Sequence, residues 1–434
     1  INDDAIRTWW DLNKNGINGG VHEYIEDGQA RAGSYGVTER TSAGYIMNTL
    51  NIGPDITFIA GVRVESENND YSSLYSPQPL GGYPAVNGNL KDTSAKYYET
   101  EWLPNAQFTF KPYEFMNVRM AAYQALARPD FNFRLTQVVA RNSATAVPLG
   151  VSGDYGVAVY YGDPSLIDAK AWNFEVNTSF FSNDIGLLTL SAYYKNIQNM
   201  YHLANFILVE GPLTNNGQNY LDENGIRWKN PFPSNSQSYY ISYPYSSTKP
   251  TRVWGFEVEH QANLGFLPGA LKYLVLSYNL SVVRSETYIK SYANNDSIWT
   301  LTNFRGVIDS TLGLAPTYFD VKQKLEGQPE LYGNVGLGYD IGGFSVRLSL
   351  FYQSEYTTAY SADGRNDIVT SSVTRLDLSL KQQITDNFAV LVNVNNLTNT
   401  DEETSYKNRA TGWNLLYTRT NYGLTADAAL RYTF

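Results

Sequence analysis

Cysteine is absent from the 434 residues, which excludes a disulfide framework, thiol catalysis and thiolate zinc sites together. Long apolar runs are absent too. A spanning helix needs roughly 18 to 20 consecutive apolar residues, and the longest stretches here, such as FAVLV and YLVL, are far shorter. Basic residues are scarce, 32 Lys and Arg against 42 Asp and Glu for a net charge of -10. That balance argues against a nucleic-acid partner, because phosphate binding needs clustered Lys and Arg. Only three histidines occur, His22, His202 and His260, with no HExxH, GxSxG or P-loop, so no hydrolase or nucleotide motif is present. Glu257 and Glu259 share a strand face but lack the cleft signal of a glycosidase pair. An enzyme is not expected. The opening INDDAIRTWW has neither a basic start nor an apolar stretch, so it is not a secretory signal and reads as a mature end or a truncation.

What the chain has in excess is tyrosine, 35 against 19 Phe, a side chain with an apolar body and a wet tip that suits a membrane boundary. The mean hydropathy of -0.35 looks soluble, but alternating strands conceal a lipid-facing side inside such an average. Alternation is pervasive. In GFSVRLSLFYQ, Val346, Leu348 and Leu350 alternate with Ser345, Arg347 and Ser349. KYLVLSYNLSVV, AWNFEVNTSF and TRLDLSLKQ repeat the pattern, each close to the ten residues of a tilted spanning strand. About thirteen such strands are expected, centred near residues 45, 60, 107, 120, 176, 191, 257, 277, 336, 348, 378, 391 and 429.

Their connections alternate in length. NIGPD, KPYEFM, SNDIG, LGFLPGAL, DIGG and ITDN are tight, whereas roughly 66 to 98, 128 to 170, 200 to 250, 284 to 329, 354 to 373 and 398 to 420 are long. Sorting by length fits an outer-membrane barrel with short periplasmic turns and long external loops. The reading is therefore all-β: a transmembrane antiparallel β-barrel over 41–434, preceded by an external loop region over 1–40. Since single-chain barrels have even strand counts, the odd number predicts missing N-terminal strands of a barrel of about 22 strands. ALRYTF at the end places Leu430, Tyr432 and Phe434 on one face, a strand that runs to the final atom.

Four segments, LPNAQFTFKPYEFMNVRMAAYQALARPDF at 103–131, GDPSLIDAKAWNFEVNTSFF at 162–181, GFEVEHQANLGFLPGALKYLVLSYNL at 255–280 and LVNVNNLTNTDEETSY at 391–406, together with the aromatic terminus, resemble the C-terminal barrel half of the TonB-dependent outer-membrane receptors of Gram-negative bacteria. The resemblance implies active uptake of a scarce nutrient (iron chelate, oligosaccharide or peptide), driven through the TonB complex. It also implies that the terminal aromatic is read by the barrel-assembly machinery. Neither a plug domain nor a TonB-contacting segment is found in the sequence. A passive porin is one alternative, and a barrel subunit or anchor for a surface lipoprotein or secretion complex is another.

Three groups of candidate site residues stand out. DLNKNGINGGVHE has the spacing of a calcium loop, with Asp11, Asn13 and Asn15 as side-chain ligands and Ile17 as a carbonyl ligand. Gly16 supplies the turn, and Glu23 or Glu26 closes the cage; an Asn/Gly turn is the bland reading. Charges on the polar strand face, Arg63, Glu65, Arg119, Glu175, Lys195, Glu257, Glu259, Arg347, Asp377 and Arg431, would line the lumen and face a plug, or be a solvated wall. External aromatics, Tyr155, Tyr160 and Tyr161, Tyr239, Tyr240, Tyr243 and Tyr245, with Trp228 and Trp299, would form ligand platforms or a membrane-interface belt.

Overall fold

A computed structural model describes residues 2–18, 21–22, 33–75, 91–135, 138–143, 156–183, 186–209, 219–221, 227–229, 239–293, 317–362 and 364–433. Thirteen strands follow one another in a single antiparallel path: β1 (Tyr35–Ile52), β2 (Ile56–Tyr75), β3 (Lys91–Tyr113), β4 (Met116–Ala127), β5 (Ala169–Ser182), β6 (Gly186–Gln198), β7 (Thr251–Asn263), β8 (Leu274–Ala293), β9 (Leu331–Ile341), β10 (Phe344–Gln353), β11 (Val373–Gln383), β12 (Phe388–Asn395) and β13 (Thr425–Tyr432). Each strand pairs with its predecessor, as in a meander. A fourteenth, Thr317–Gln323, extends the upper part of β8.

Alternation decides which face each side chain takes. Register places Val346 between Tyr339 and Leu380, and Leu348 between Leu337 and Leu378, in apolar rows that run from strand to strand. The intervening rows carry Ser349 beside Gly336 and Asp377. Apolar rows face outward and are exposed: Val335, Leu337, Leu348, Leu350, Phe256 and Phe174 all lie open to the surroundings. A soluble sheet would cover such rows with a second layer, whereas a membrane covers them with hydrocarbon.

Tight connections lie at one end. Gly342 and Gly343, with φ of 56° and 82°, make the β9–β10 turn in the left-handed region that costs glycine nothing. At the last such turn, Thr433 donates to the Asn387 carbonyl and the Asn387 amide returns a bond to the Thr433 carbonyl, at 2.8 and 2.7 Å. That exchange ties down the end of β13. Phe434 lies outside the described residues.

The upper ends differ from the expectation in one respect. β2, β3 and β8 run for 20, 23 and 20 residues, so part of what reads as loops at 66–98 and 284–329 is ladder. Polarity on both faces of NNDYSSLY hides the strand, because above the membrane neither face needs to be apolar. The N-terminal region holds a helix, α1 (Asp3–Asn13), capped by the Asn2 side chain accepting from Ala5 N–H at 3.1 Å. Acidic Asp3 and Asp4 occupy its first turn, where the helix dipole favours them.

Candidate functional site

Above the spanning rows, β2 carries Glu65, Glu67, Asn69 and Tyr71 in period two on its inner face, and all four are buried or nearly so. What covers them is the segment following β4. Pro129 lacks the N–H a ladder needs, and Asp130 begins a single helical turn, α2 (Phe131–Arg134), its carboxylate accepting from Asn132 N–H at 2.9 Å. The chain returns along residues 162–168, where Asp163 N–H donates to the Phe133 carbonyl at 2.7 Å. A Cβ on Gly162 would come within 2.0 Å of the Leu135 carbonyl oxygen, so only glycine allows this closure.

Arg134 is the centre of the clasp and is 1% exposed. It donates through Nη1 to Glu67 at 3.0 Å, through Nη2 to Asp168 at 2.6 Å, and through Nε to the Leu166 carbonyl at 2.9 Å. Its guanidinium lies 3.7 Å from the centroid of the Tyr97 ring. A buried charge is tolerated only when it is paired and its donors are used, and three partners plus a ring face meet that condition. Arg128 adds Glu65 and, at 2.5 Å, Glu67. Tyr97 donates to Glu99. Tyr71, Tyr97 and Leu135 form an apolar cluster beneath, with Val37 and Phe131 against it. Burial pushes the Asp168 carboxyl up to about 6, against the pull of Arg134. It also raises the Tyr97 phenol, with the bond to Glu99 adding to the rise.

Of the lumen charges named from sequence, Arg63 and Glu65 meet, Arg63 Nη2 donating to Glu65 at 2.7 Å. Glu175 accepts from Tyr123 Oη at 2.7 Å. Arg347 binds Asp340 through Nη1 at 2.7 Å and Nη2 at 2.5 Å, and Asp377 accepts from Asn396 N–H at 2.8 Å. Lys195 lies 5.4 Å from the Tyr193 ring. Glu257 and Glu259 follow one another on the inner file of β7, opposite Ser281 and Asn279. Arg119 stands between Thr109 and Asn177, and Arg431 opposite Ala389. These residues are spread over the wall and share no single centre. A polar recess of about 420 Å³ is lined by Arg375, Asp377, Asn396, Thr400 and Glu402.

The aromatics are partly described. Tyr160 and Tyr161 lie on the strand Gly156–Tyr161, which runs parallel to Tyr239–Ser246 with Ser242 opposite Tyr160 and Tyr240 opposite Ala158. Tyr243 and Tyr245 have ring centroids 6.1 Å apart, and Lys290 lies 4.9 Å from the Tyr245 ring. Trp228 sits on a separate hairpin, Asn219–Leu221 with Arg227–Lys229. Tyr155 and Trp299 lie outside the described residues. Among the calcium-loop candidates, Asp11 and Asn13 occupy the last turn of α1. Asp11 holds Lys14 at 2.7 Å, and the Asn13 amide donates to the Trp9 carbonyl at 2.7 Å. Asn15 follows in a turn and Ile17 in a two-residue bridge with His22; Glu23 and Glu26 lie outside the described residues. The described residues contain no group of three or more His, Asp or Glu poised for a metal.

Sequence reasoning missed Glu67, Arg128, Arg134 and Asp168. For Arg128 and Asp168 a signal lay in the ARPDF and GDPSLID segments, whose polar residues have no role in a spanning strand; Glu67 and Arg134 fall outside both.

The sequence matches the family described as TonB dependent receptor-like, beta-barrel, over residues 6–397. Among solved structures it is similar to the ferric-catecholate import receptor Fiu from E. coli K12, with 16% identity and a TM-score of 0.54, covering 92% of this chain and 45% of that one. The ferric yersiniabactin uptake receptor FyuA from Yersinia pestis gives 15% identity and a TM-score of 0.52, with 92% and 46% covered. The siderophore receptor PiuA from Acinetobacter baumannii gives 13% and 0.53, with 92% and 44% covered. The chain thus spans somewhat under half the length of each. No curated protein matches the sequence. With a match over most of its length and an antiparallel wall that is polar within and apolar without, the chain belongs to the TonB-dependent receptor β-barrels of the bacterial outer membrane.

Proposed function

We propose that the chain supplies wall and external loops to a receptor that captures a ferric chelate at the cell surface and imports it with energy from the TonB complex. The observation that carries this is the clasp around Arg134. It holds the segment between β4 and β5 against the inner face of β2, which preorganises that external segment, and preorganisation lowers the entropic cost of ligand binding. The chelate class is supported by the similar structures, a ferric-catecholate import receptor, a ferric yersiniabactin uptake receptor and a siderophore receptor. Lumen charges such as Arg63, Glu65, Glu175, Glu257 and Asp377 would face a plug, and the tyrosine-rich external strands would face the ligand.

The test is growth of a strain expressing the full-length gene product under iron limitation, supplied with single ferric catecholate, hydroxamate or mixed-ligand chelates. Growth on one class should require both the receptor and the TonB complex. Uptake that persists without the TonB complex and depends only on solute size would instead mark a porin.

A further inference from the structure

Tyr201 and His202 open the external strand Tyr201–Val209 and, being consecutive on a strand, send their side chains to opposite faces. On one face Tyr201 meets the Arg134 clasp. Its Oη donates to the Arg128 carbonyl at 3.2 Å, and its ring stands edge-on to Phe133 with centroids 6.2 Å apart. On the other face His202, 4% exposed, enters a second polar cluster. His202 Nε2 and Thr287 Oγ1 share a hydrogen bond of 3.0 Å, and Thr287 bonds in turn to Thr251 at 2.6 Å, both threonines being fully buried. His202 Nδ1 lies 3.6 Å from Glu326.

From Glu326 the cluster reaches further. Glu326 accepts from Tyr360 N–H at 3.1 Å, Tyr360 Oη donates to the Lys324 carbonyl at 3.0 Å, and Gly327 N–H donates to the Thr357 carbonyl at 2.8 Å. Leu325 N–H donates to Ser285 Oγ on β8 at 2.8 Å. One residue beyond Tyr360, Ser361 N–H donates to the buried Asp367 at 2.8 Å, and Arg409 Nε reaches the same carboxylate at 2.6 Å. The loops that follow β8, β10 and β12 are thus fastened to one another and, through His202, to the loop that follows β6. The loop that follows β4 is fastened to the same strand through Tyr201.

We propose that Tyr201 and His202 form a coupling pin between the two clasps, so that the loop after β4 and the loops after β8 and β10 loosen and close together rather than separately. The pin has two discrete positions. With His202 withdrawn, Thr287 loses a partner in a site closed to solvent, and an unsatisfied buried polar group costs more than the bond contributed. Opening the first clasp removes the Arg128 carbonyl and the Phe133 ring from Tyr201, freeing the strand to leave β8; closing it drives the imidazole back. His202 is a positioning residue in this device, since it holds the strand on β8 and carries the state of one clasp to the other. The coupling is reciprocal, as any equilibrium linkage must be. The proposal rests on these contacts and is independent of what the receptor imports.

Hydrogen-exchange mass spectrometry on the full-length receptor in a neutral detergent reads both ends, because each clasp holds bonded amides: Phe133 and Asp163 N–H in the first, Leu325 and Gly327 N–H in the second. H202A should speed exchange at least about fivefold at 324–327 and also at 128–135 and 162–168. H202Q, whose amide can reach Thr287, should restore both regions. Y201F removes one hydroxyl on the first face and should speed exchange at 324–327, as should R134M. In an R134M background, H202A should add little at 324–327, since the coupled unit is already open. A heat-dependent gel shift and unchanged exchange in β9 to β12 check that the wall stays folded, and Y201F, a loss of one oxygen atom, tests the coupling even where H202A fails to fold. The pairing of Tyr239–Ser246 with Gly156–Tyr161 joins the same two loops by another path, and none of these variants touches it. Exchange that rises only in the clasp a variant contacts would overturn the proposal. So would additive effects of R134M and H202A, or an H202Q variant that behaves like H202A.

Discussion

The spanning half of the wall and its external extension share one hydrogen-bonded ladder but invert each other's burial. Below, Leu337, Leu348 and Phe256 lie exposed on the outer face, while above, Glu67, Asn69, Arg134 and Asp168 are buried. A single strand, β2, carries both regimes: Phe58 is exposed near its lower end and Asn69 is fully buried near its upper end. The lesson is that the lower part depends on lipid for its stability, whereas the upper part satisfies itself through paired charges and rings. Substitutions should therefore have opposite consequences in the two regions.

The largest effect is expected at Arg134. R134M leaves Glu67 with Arg128 alone and Asp168 buried without its hydrogen-bonded cation, and breaking such a buried pair costs about 3–5 kcal/mol. Hydrogen exchange across residues 128–135 and 162–168 should accelerate sharply while the barrel keeps its heat-dependent gel shift. Unchanged protection there would mean that the clasp is incidental. Next comes the outer wall. L348R puts a charge near mid-depth on the lipid face, a cost of about 2–4 kcal/mol, and S349R, one residue along, points inward and should cost far less. Urea titration of the protein folded into vesicles separates the two, and equal losses would remove the distinction between faces.

The pH response should be smaller. Asp168 has its carboxyl pushed up to about 6 in the folded protein, above the ordinary value near 3.9. Its contribution to stability is thus fullest below the ordinary range and is lost as pH rises through 6. Relative to D168N, the wild-type clasp should gain exchange protection as pH falls from 8 to 5, and a gap between the two that stays constant over this range would contradict the assignment. The smallest effect belongs to Lys407 and Glu355, paired at 2.6 Å but exposed. K407A should shift the urea midpoint by less than about 1 kcal/mol.

Much of the lower half was legible because period-two alternation is local. The thirteen expected centres each fall within one of the strands β1 to β13. The sorting of short and long connections was equally visible, since Gly and Asn mark the tight turns. The upper half was harder to read. Its ladders in β2 and β8 carry polar residues on both faces, which erases the periodicity. Arg134 and its partner Glu67 lie 67 residues apart in the chain, a separation no local pattern encodes. In the segment 11–17 the spacing suggestive of a calcium loop overlaps the end of α1, where Asp11 accepts from Lys14. A helix cue left unread in the sequence is Asn2 followed by two aspartates.

Lipid outside the wall and water or protein inside it can be tested directly, because these 434 residues contain no cysteine and any elsewhere in the full-length protein can be replaced by serine. Single cysteines at positions 348 and 349 of the full-length protein, reconstituted in vesicles, would be exposed to a charged, membrane-impermeant maleimide, and in parallel labelled with a fluorophore and challenged with a lipid-borne quencher. Position 349 should react with the maleimide and resist quenching, and position 348 should do the reverse. Equal reactivity and equal quenching at both positions would contradict a membrane-spanning wall.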